Sequence, residues 1–282
     1  MNDEICRMSA VDLLAAYDAG DLSPVQATEA VLERIHERND AYNAFCLIDD
    51  EGAMAAARRS EKRWLAGAPE GRIDGVPVSV KDLVLAEGWP TMRGSKTTPR
   101  DQPWDEDAPA VARLREHGGV LLGKTTTPEY GWKGVTDSPL TGVTKNPWNL
   151  EHTPGGSSGG AAVAALCGMG PLHIGTDGGG SVRIPCAFSG IFGIKANFGR
   201  VPIYPASPFG TLSHLGPMTR TVADAALMLT VMAETDTRDA YALPADALDF
   251  GAVLEGGIGG MRIAFSPDLG YASVDAEVAG LV

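Results

Sequence analysis

The sequence predicts an α/β protein built on a mixed central β-sheet covered by helices. Two features carry that prediction. The N-terminal third has helical periodicity, and from about residue 72 short apolar runs broken by Gly, Pro and Thr alternate with helical stretches, the pattern of strands followed by covering helices. With 44% hydrophobic residues in 282 positions, a substantial core can be buried. No repeat of fixed period and no low-complexity linker divides the chain. Residues 1–282 therefore read as a single domain, with a helical N-terminal segment over 1–70 and an α/β core over 71–282.

Taken in order, Ser23, Pro24 and Gln26 supply an N-cap, a proline at the first helical position and a capping-box partner for the helix that follows, where Val25, Ala30, Val31 and Ile35 recur at helical spacing. A second helix is expected over about 50–66, stopped at Gly67. Candidate strands are VPVSVKDLV (76–84), GGVLLGKT (118–125), GPLHIGT (170–176) and GMRIAFS (260–266). Helical stretches lie between them at 108–118 and 159–168. The last segment, 274–282, opens like a helix at Asp275 and stops after about two turns, so the sequence reads as cut off there.

The formal net charge of -13 gives a surface that repels phosphate backbones, which argues against a nucleic-acid partner. Cys6, Cys46, Cys167 and Cys186 are scattered without a C-x-x-C pair, as in a reducing compartment. The acidic start lacks the flanks of a secretory signal, and no apolar run approaches a membrane span. A cytoplasmic protein with no membrane partner is the expectation.

Three segments stand out for chemistry. GGSSGG at 155–160 allows close approach of backbone. By itself it also reads as a flexible turn or a phosphate loop, although neither common phosphate-loop pattern is complete. TDGGGSVRIP at 176–185 sets Gly178, Gly179 and Gly180 directly before Ser181, exposing backbone N–H groups beside a hydroxyl as an oxyanion site requires. Ser157 and Ser181 are 24 residues apart (181 − 157). A helix running out about 15 Å and a strand returning roughly 20 Å bring both serine loops to one end of the sheet.

In VPVSVKD, Val76, Val78 and Val80 alternate with Pro77, Ser79 and Lys81, so a strand here buries the valines on one face and projects Ser79 and Lys81 from the other. An arbitrary lysine is usually solvated. Covered by protein, this one would lose its charge and become a base. The five histidines, His36, His117, His152, His173 and His214, show no metal-binding spacing. A Ser-His-Asp arrangement stays open, because triads are defined by geometry and not by order, but Ser181 lacks the G-x-S-x-G elbow. Cys167 and Cys186 sit among small apolar residues, as core thiols do.

Together these segments resemble the amidase signature family, serine hydrolases with a Ser-cisSer-Lys triad. The likeness runs from the N-terminal helices to about residue 235 and is strongest from GGSSGG through TDGGGSVRIPCAFSGIFGIKANFGRVP. It implies a sheet with helices on both faces, and hydrolysis of a small-molecule carboxylic amide to carboxylate plus ammonia or amine, with no cofactor and no metal. It also implies Ser181 as nucleophile, Ser157 as a bridging serine after a cis peptide bond, and Lys81 as base. Gly178, Gly179, Gly180 and Ser181 supply the implied oxyanion donors. Ser158 stands beside the substrate, and Asp177 and Arg183 are scaffold residues near the site.

Members of the family are markedly longer, so the part that completes the sheet and shapes the acyl pocket is expected to be missing. An inactive or truncated module is one alternative, and a homodimer is one assembly the family allows. Another alternative is the glutaminase component of the glutamine-dependent amidotransferase that amidates mischarged tRNA. GKTTTPEYGW (123–132) and GIKANFGRVPIYP (193–205) look closer to the general amidases.

Overall fold

The computed structural model describes residues 2–244 and 248–282. Two short helices, α1 (Asn2–Arg7) and α2 (Ala10–Ala19), precede α3 (Pro24–Tyr42), which begins where the capping signal puts it. The Gln26 N–H donates to Ser23 Oγ at 3.2 Å, and the Ser23 N–H donates back to the Gln26 side chain at 2.9 Å. These bonds satisfy amides that have no partner within the helix. Next come β1 (Phe45–Ile48) and α4 (Asp50–Leu65), the latter capped by Asp49.

The core continues with β2 (Pro77–Lys81), α5 (Pro109–Glu116) and β3 (Val120–Thr125). A two-stranded ribbon, β4 (Asp137–Ser138) and β5 (Gly142–Val143), leads to α6 (Gly159–Leu166) and β6 (Leu172–Asp177). The short helix α7 (Arg183–Ser189) and strands β7 (Phe192–Gly193) and β8 (His214–Thr219) follow, then α8 (Val222–Met232). The main sheet has the order β1-β3-β2-β6-β8-β7. β2 runs parallel to β3 and β6, whereas β1 and β8 pair antiparallel with their neighbours, so the sheet is mixed as predicted.

Alternating side chains along the strands feed two apolar clusters. Val78, Val80, Leu121 and Ile174 pack with residues of α5 and α8. Val120 and Leu122 pack on the other side with α3, α4 and α6. Helices therefore cover both faces. Close approach of α6 to the sheet depends on glycine: a Cβ on Gly160 would lie 2.5 Å from the Ala44 carbonyl oxygen and the Thr126 nitrogen, well inside contact distance.

The chain forms two compact units, Met1–Gly251 and Ala252–Val282. The second holds α9 (Ala276–Leu281), whose Asp275 cap accepts from the Glu277 N–H. The strand expected at 260–266 is not formed: those residues have no regular secondary structure. A strand is stable only through pairing, and among the described residues none pairs with this segment. Among the described residues no helix is long and apolar enough to cross a membrane.

Candidate active site

The helix α6 and strand β6 return the chain as the spacing required. The Ser158 N–H donates to the Ser181 carbonyl at 3.3 Å, which joins the two serine loops at one end of the sheet. The Gly156–Ser157 peptide bond is cis. Ser157 and Ser181 both line a cavity of about 310 Å³, together with Gly178, Gly179, Thr176 and Trp132.

Lys81 ends β2 on the face opposite the valines and is fully buried. Its Nζ lies 2.7 Å from Ser157 Oγ, 2.8 Å from Ser158 Oγ and 2.8 Å from Thr176 Oγ1. All three partners are hydroxyls, and none is a carboxylate. Burial pushes the amine well below its ordinary pKa, against the weaker opposing pull of Asp177. Ser158 Oγ is fully committed: it donates to the Thr176 carbonyl and accepts from the Thr176 N–H, each at 3.2 Å. Toward Lys81 it can therefore only accept. Lys81 is not among the residues that line the cavity, whereas Ser157 stands between the two.

Asp177 is buried and organises the second loop. It accepts from the Gly180 N–H at 2.7 Å and the Val182 N–H at 3.2 Å, and it holds Arg183 through Nε at 3.0 Å and a terminal nitrogen at 2.9 Å. Burial raises its pKa, but the Arg183 guanidinium and the two amides outweigh that and bring it down to about 2. Two residues expected on the substrate side are placed otherwise. The Gly180 N–H is spent on Asp177, and Ser158 is buried behind Ser157, so neither lines the cavity. Gly178, Gly179 and Ser181 remain as candidate oxyanion donors.

Four of the five histidines have partners other than Ser157 and Ser181. His36 pairs with Asp50 and His117 with Glu234. His173 is buried between Ser79 Oγ at 2.7 Å and the Gly170 carbonyl at 2.9 Å, and burial lowers its pKa to about 3. His214 Nδ1 faces the carbonyls of Leu212 and Asp177. Burial pushes the Cys186 thiol up to about 12 and that of Cys167 to about 11, so both stay protonated at neutral pH.

The amidase family model matches residues 26–282. The chain belongs to the amidase signature family. It is 41% identical over 272 residues to the acylamidase of Rhodococcus erythropolis, across 96% of this chain and 57% of that one. To the A component of the glutamyl-tRNA(Gln) amidotransferase of Chloroflexus aurantiacus it is 39% identical, across 92% of this chain and 53% of the relative. Among solved structures, a bacterial aryl acylamidase of the amidase signature enzymes superposes with a TM-score of 0.90 at 34% identity, covering 97% of this chain and 57% of that one. The chain thus spans about half the length of the curated relatives it matches.

Within this amidase signature chain, sequence reasoning overlooked two residues. Thr176 touches Lys81, which becomes visible only once β2 is paired with β6. Lys124 is a second fully buried lysine, bonded to the Val84 carbonyl at 2.5 Å and Thr91 Oγ1 at 2.8 Å. Beside it Asp82 accepts from the N–H groups of Met92 and Gly94, at 3.0 Å and 3.1 Å. These bonds fix the loop that follows β2 and carries Leu83 into the cavity wall.

Proposed function

We propose that this chain hydrolyses carboxylic amides to carboxylate plus ammonia or amine, through an acyl-enzyme on Ser181. The observation that carries this reading is the set of three hydroxyls around a buried Lys81 whose pKa burial pushes well down; in the proposed reaction its amine acts in the neutral form. A neutral amine donates two hydrogen bonds and accepts one. Donation to Ser158 and Thr176 leaves its lone pair for the Ser157 O–H, so Ser157 is the group that can pass a proton to it. As Ser181 Oγ attacks the carbonyl carbon, its proton moves to Ser157 and the Ser157 proton moves to Lys81. The N–H groups of Gly178, Gly179 and Ser181 meet the oxyanion. The proton returns through Ser157 to the departing nitrogen as the C–N bond breaks, and water then releases the acid by the same relay.

Labelling with a fluorophosphonate, followed by mapping of the modified residue, tests the reading. The expected label is on Ser181, absent in Ser181→Ala and slowed about a hundredfold or more in Lys81→Met and Ser157→Ala. Release of amine from simple aryl or aliphatic amides should follow the same order. No label on the folded chain would favour a catalytically inactive module. Activity on glutamine alone, and only with a partner protein, would favour the reading as the glutaminase component of an amidotransferase.

A further inference from the structure

A larger cavity of about 480 Å³ adjoins the one that holds Ser181, and the two share Leu83, Trp132, Thr176, Phe209 and Ser213 in their walls. Its lining is mostly apolar and aromatic, and among the described residues Arg93 is the only charged one that lines it. The Arg93 guanidinium has no hydrogen-bond, ion-pair or ring partner among the described residues. The acid beside it in the loop, Asp82, spends its hydrogen bonds on the N–H groups of Met92 and Gly94 on either side and meets the Arg93 charge only through space.

The backbone at this point is also unusual. Arg93 is left-handed at φ 56°, as is Tyr130 at φ 51°, and the Tyr130 N–H donates to the Arg93 carbonyl at 2.8 Å. Both residues line the larger cavity. Left-handed backbone is unfavourable for residues other than glycine and persists where the surroundings fix it. Here Asp82 clamps the residues flanking Arg93, and Tyr130 is anchored through its hydroxyl to Thr97 at 3.0 Å. The result is an arginine whose backbone is fixed at the wall of an apolar chamber adjoining the one that holds the nucleophile, in a chain whose net charge is -13.

We propose that the amides taken by this site carry a carboxylate on an apolar spacer, and that Arg93 binds that carboxylate. The proposal rests on the amide-hydrolase reading of Ser181. A guanidinium fork matches the two oxygens of a carboxylate, and the mostly apolar lining of the cavity strengthens the pairing. The aromatic walls suit an aryl or alkyl spacer. An acidic protein repels anions in general, so a lone cation in this place acts as a selective one.

The test compares phenylbutanamide with its para-carboxy derivative, measured as ammonia release by the wild-type chain, Arg93→Met and Arg93→Lys. The readout is the ratio of the two kcat/KM values. It is expected to favour the carboxylated amide by about tenfold or more in the wild type, to fall toward one in Arg93→Met through a rise in KM, and to be partly retained in Arg93→Lys. A ratio near one in the wild type overturns the proposal, as does a ratio that Arg93→Met leaves unchanged. If the wild type hydrolyses neither amide, the hydrolase reading fails. Calorimetric titration of Ser181→Ala with para-carboxyphenylbutanoate then decides the Arg93 proposal separately. Binding weakened about tenfold by adding Arg93→Met supports it, and equal or absent binding overturns it.

Discussion

Lys81 and Lys124 lie one residue out of register on adjacent parallel strands and bury their amines on opposite faces of the same sheet. Val80 pairs with Lys124 and Lys81 with Thr125, so by the pleat Lys124 shares the face of Val80 while Lys81 points the other way. Lys124 is tied to a backbone carbonyl and a threonine beside Asp82. Lys81 meets only hydroxyls, at the edge of the cavity.

The state of Lys81 sets the pH dependence of the proposed reaction. Its pKa in the folded chain lies well below the usual 10.5, so the amine is neutral above that lowered value and protonated below it. kcat/KM for amide hydrolysis is therefore expected to rise with pH along one acid limb to a plateau. Lys81→Met should lower the plateau by about 10²- to 10⁴-fold and abolish the limb. Lys81→Arg should be equally poor, since a guanidinium does not deprotonate. A variant that keeps wild-type activity and the same limb would remove Lys81 from the mechanism.

Thr176→Val deletes one acceptor of the Lys81 amine and keeps the shape. An acceptor favours the ammonium form more than the neutral one, so its loss should move the acid limb to lower pH. We expect kcat/KM to fall about tenfold and stability to fall by about 1 kcal/mol. A pH–rate profile set against a thermal melt separates the two effects.

Lys124 offers an alkaline signature in stability. Burial brings its pKa from 10.5 down to about 8. Between those values the folded chain binds fewer protons than the unfolded one, so stability rises with pH across that window. Urea unfolding at pH 8 and pH 10 should show the wild type gaining about 2 kcal/mol more than Lys124→Met. Equal gains would mean that Lys124 titrates normally.

Asp177 acts in the acid range with the same sign of slope, because its folded-state pKa is also depressed. Its pKa is lowered from 3.8 to about 2, so it contributes stability above about pH 4 that is lost as pH falls toward 2. Arg183 is half exposed, and solvent screening reduces the contribution to about 1 kcal/mol. Asp177→Asn should be less stable than the wild type at pH 6, and the gap should narrow by that amount at pH 2. A gap that does not change between those pH values would rule out this contribution.

What sequence left undetermined was settled by long-range pairing. The GKT of β3 looks as plain as any surface lysine, because the irregular β2–β3 register between Val78 and Ser79 breaks the two-residue period that placed Lys81. Pro217 argues against a central strand, yet it lies in β8 between β6 and β7, paired with Ile174. In the opposite direction, the apolar run at 260–266 has the composition of a strand, but among the described residues none pairs with it. Arg93 carries no local sign of its left-handed backbone, which neighbouring hydrogen bonds impose.

By itself the sequence determined the elements whose causes are local: the cap that starts α3, the valine alternation that turns Lys81 from the α5 and α8 face, and the helix-and-strand interval that brings Ser157 and Ser181 to one end of the sheet. Only the tertiary structure decided which groups meet and which are stripped of water. Burial, cross-strand register and hydrogen-bond saturation depend on residues distant in the chain. They push the pKa of Lys81 down among three hydroxyls, take Gly180 and Ser158 out of the cavity wall, and leave Arg93, among the described residues, without a hydrogen bond or ion pair at the adjoining cavity.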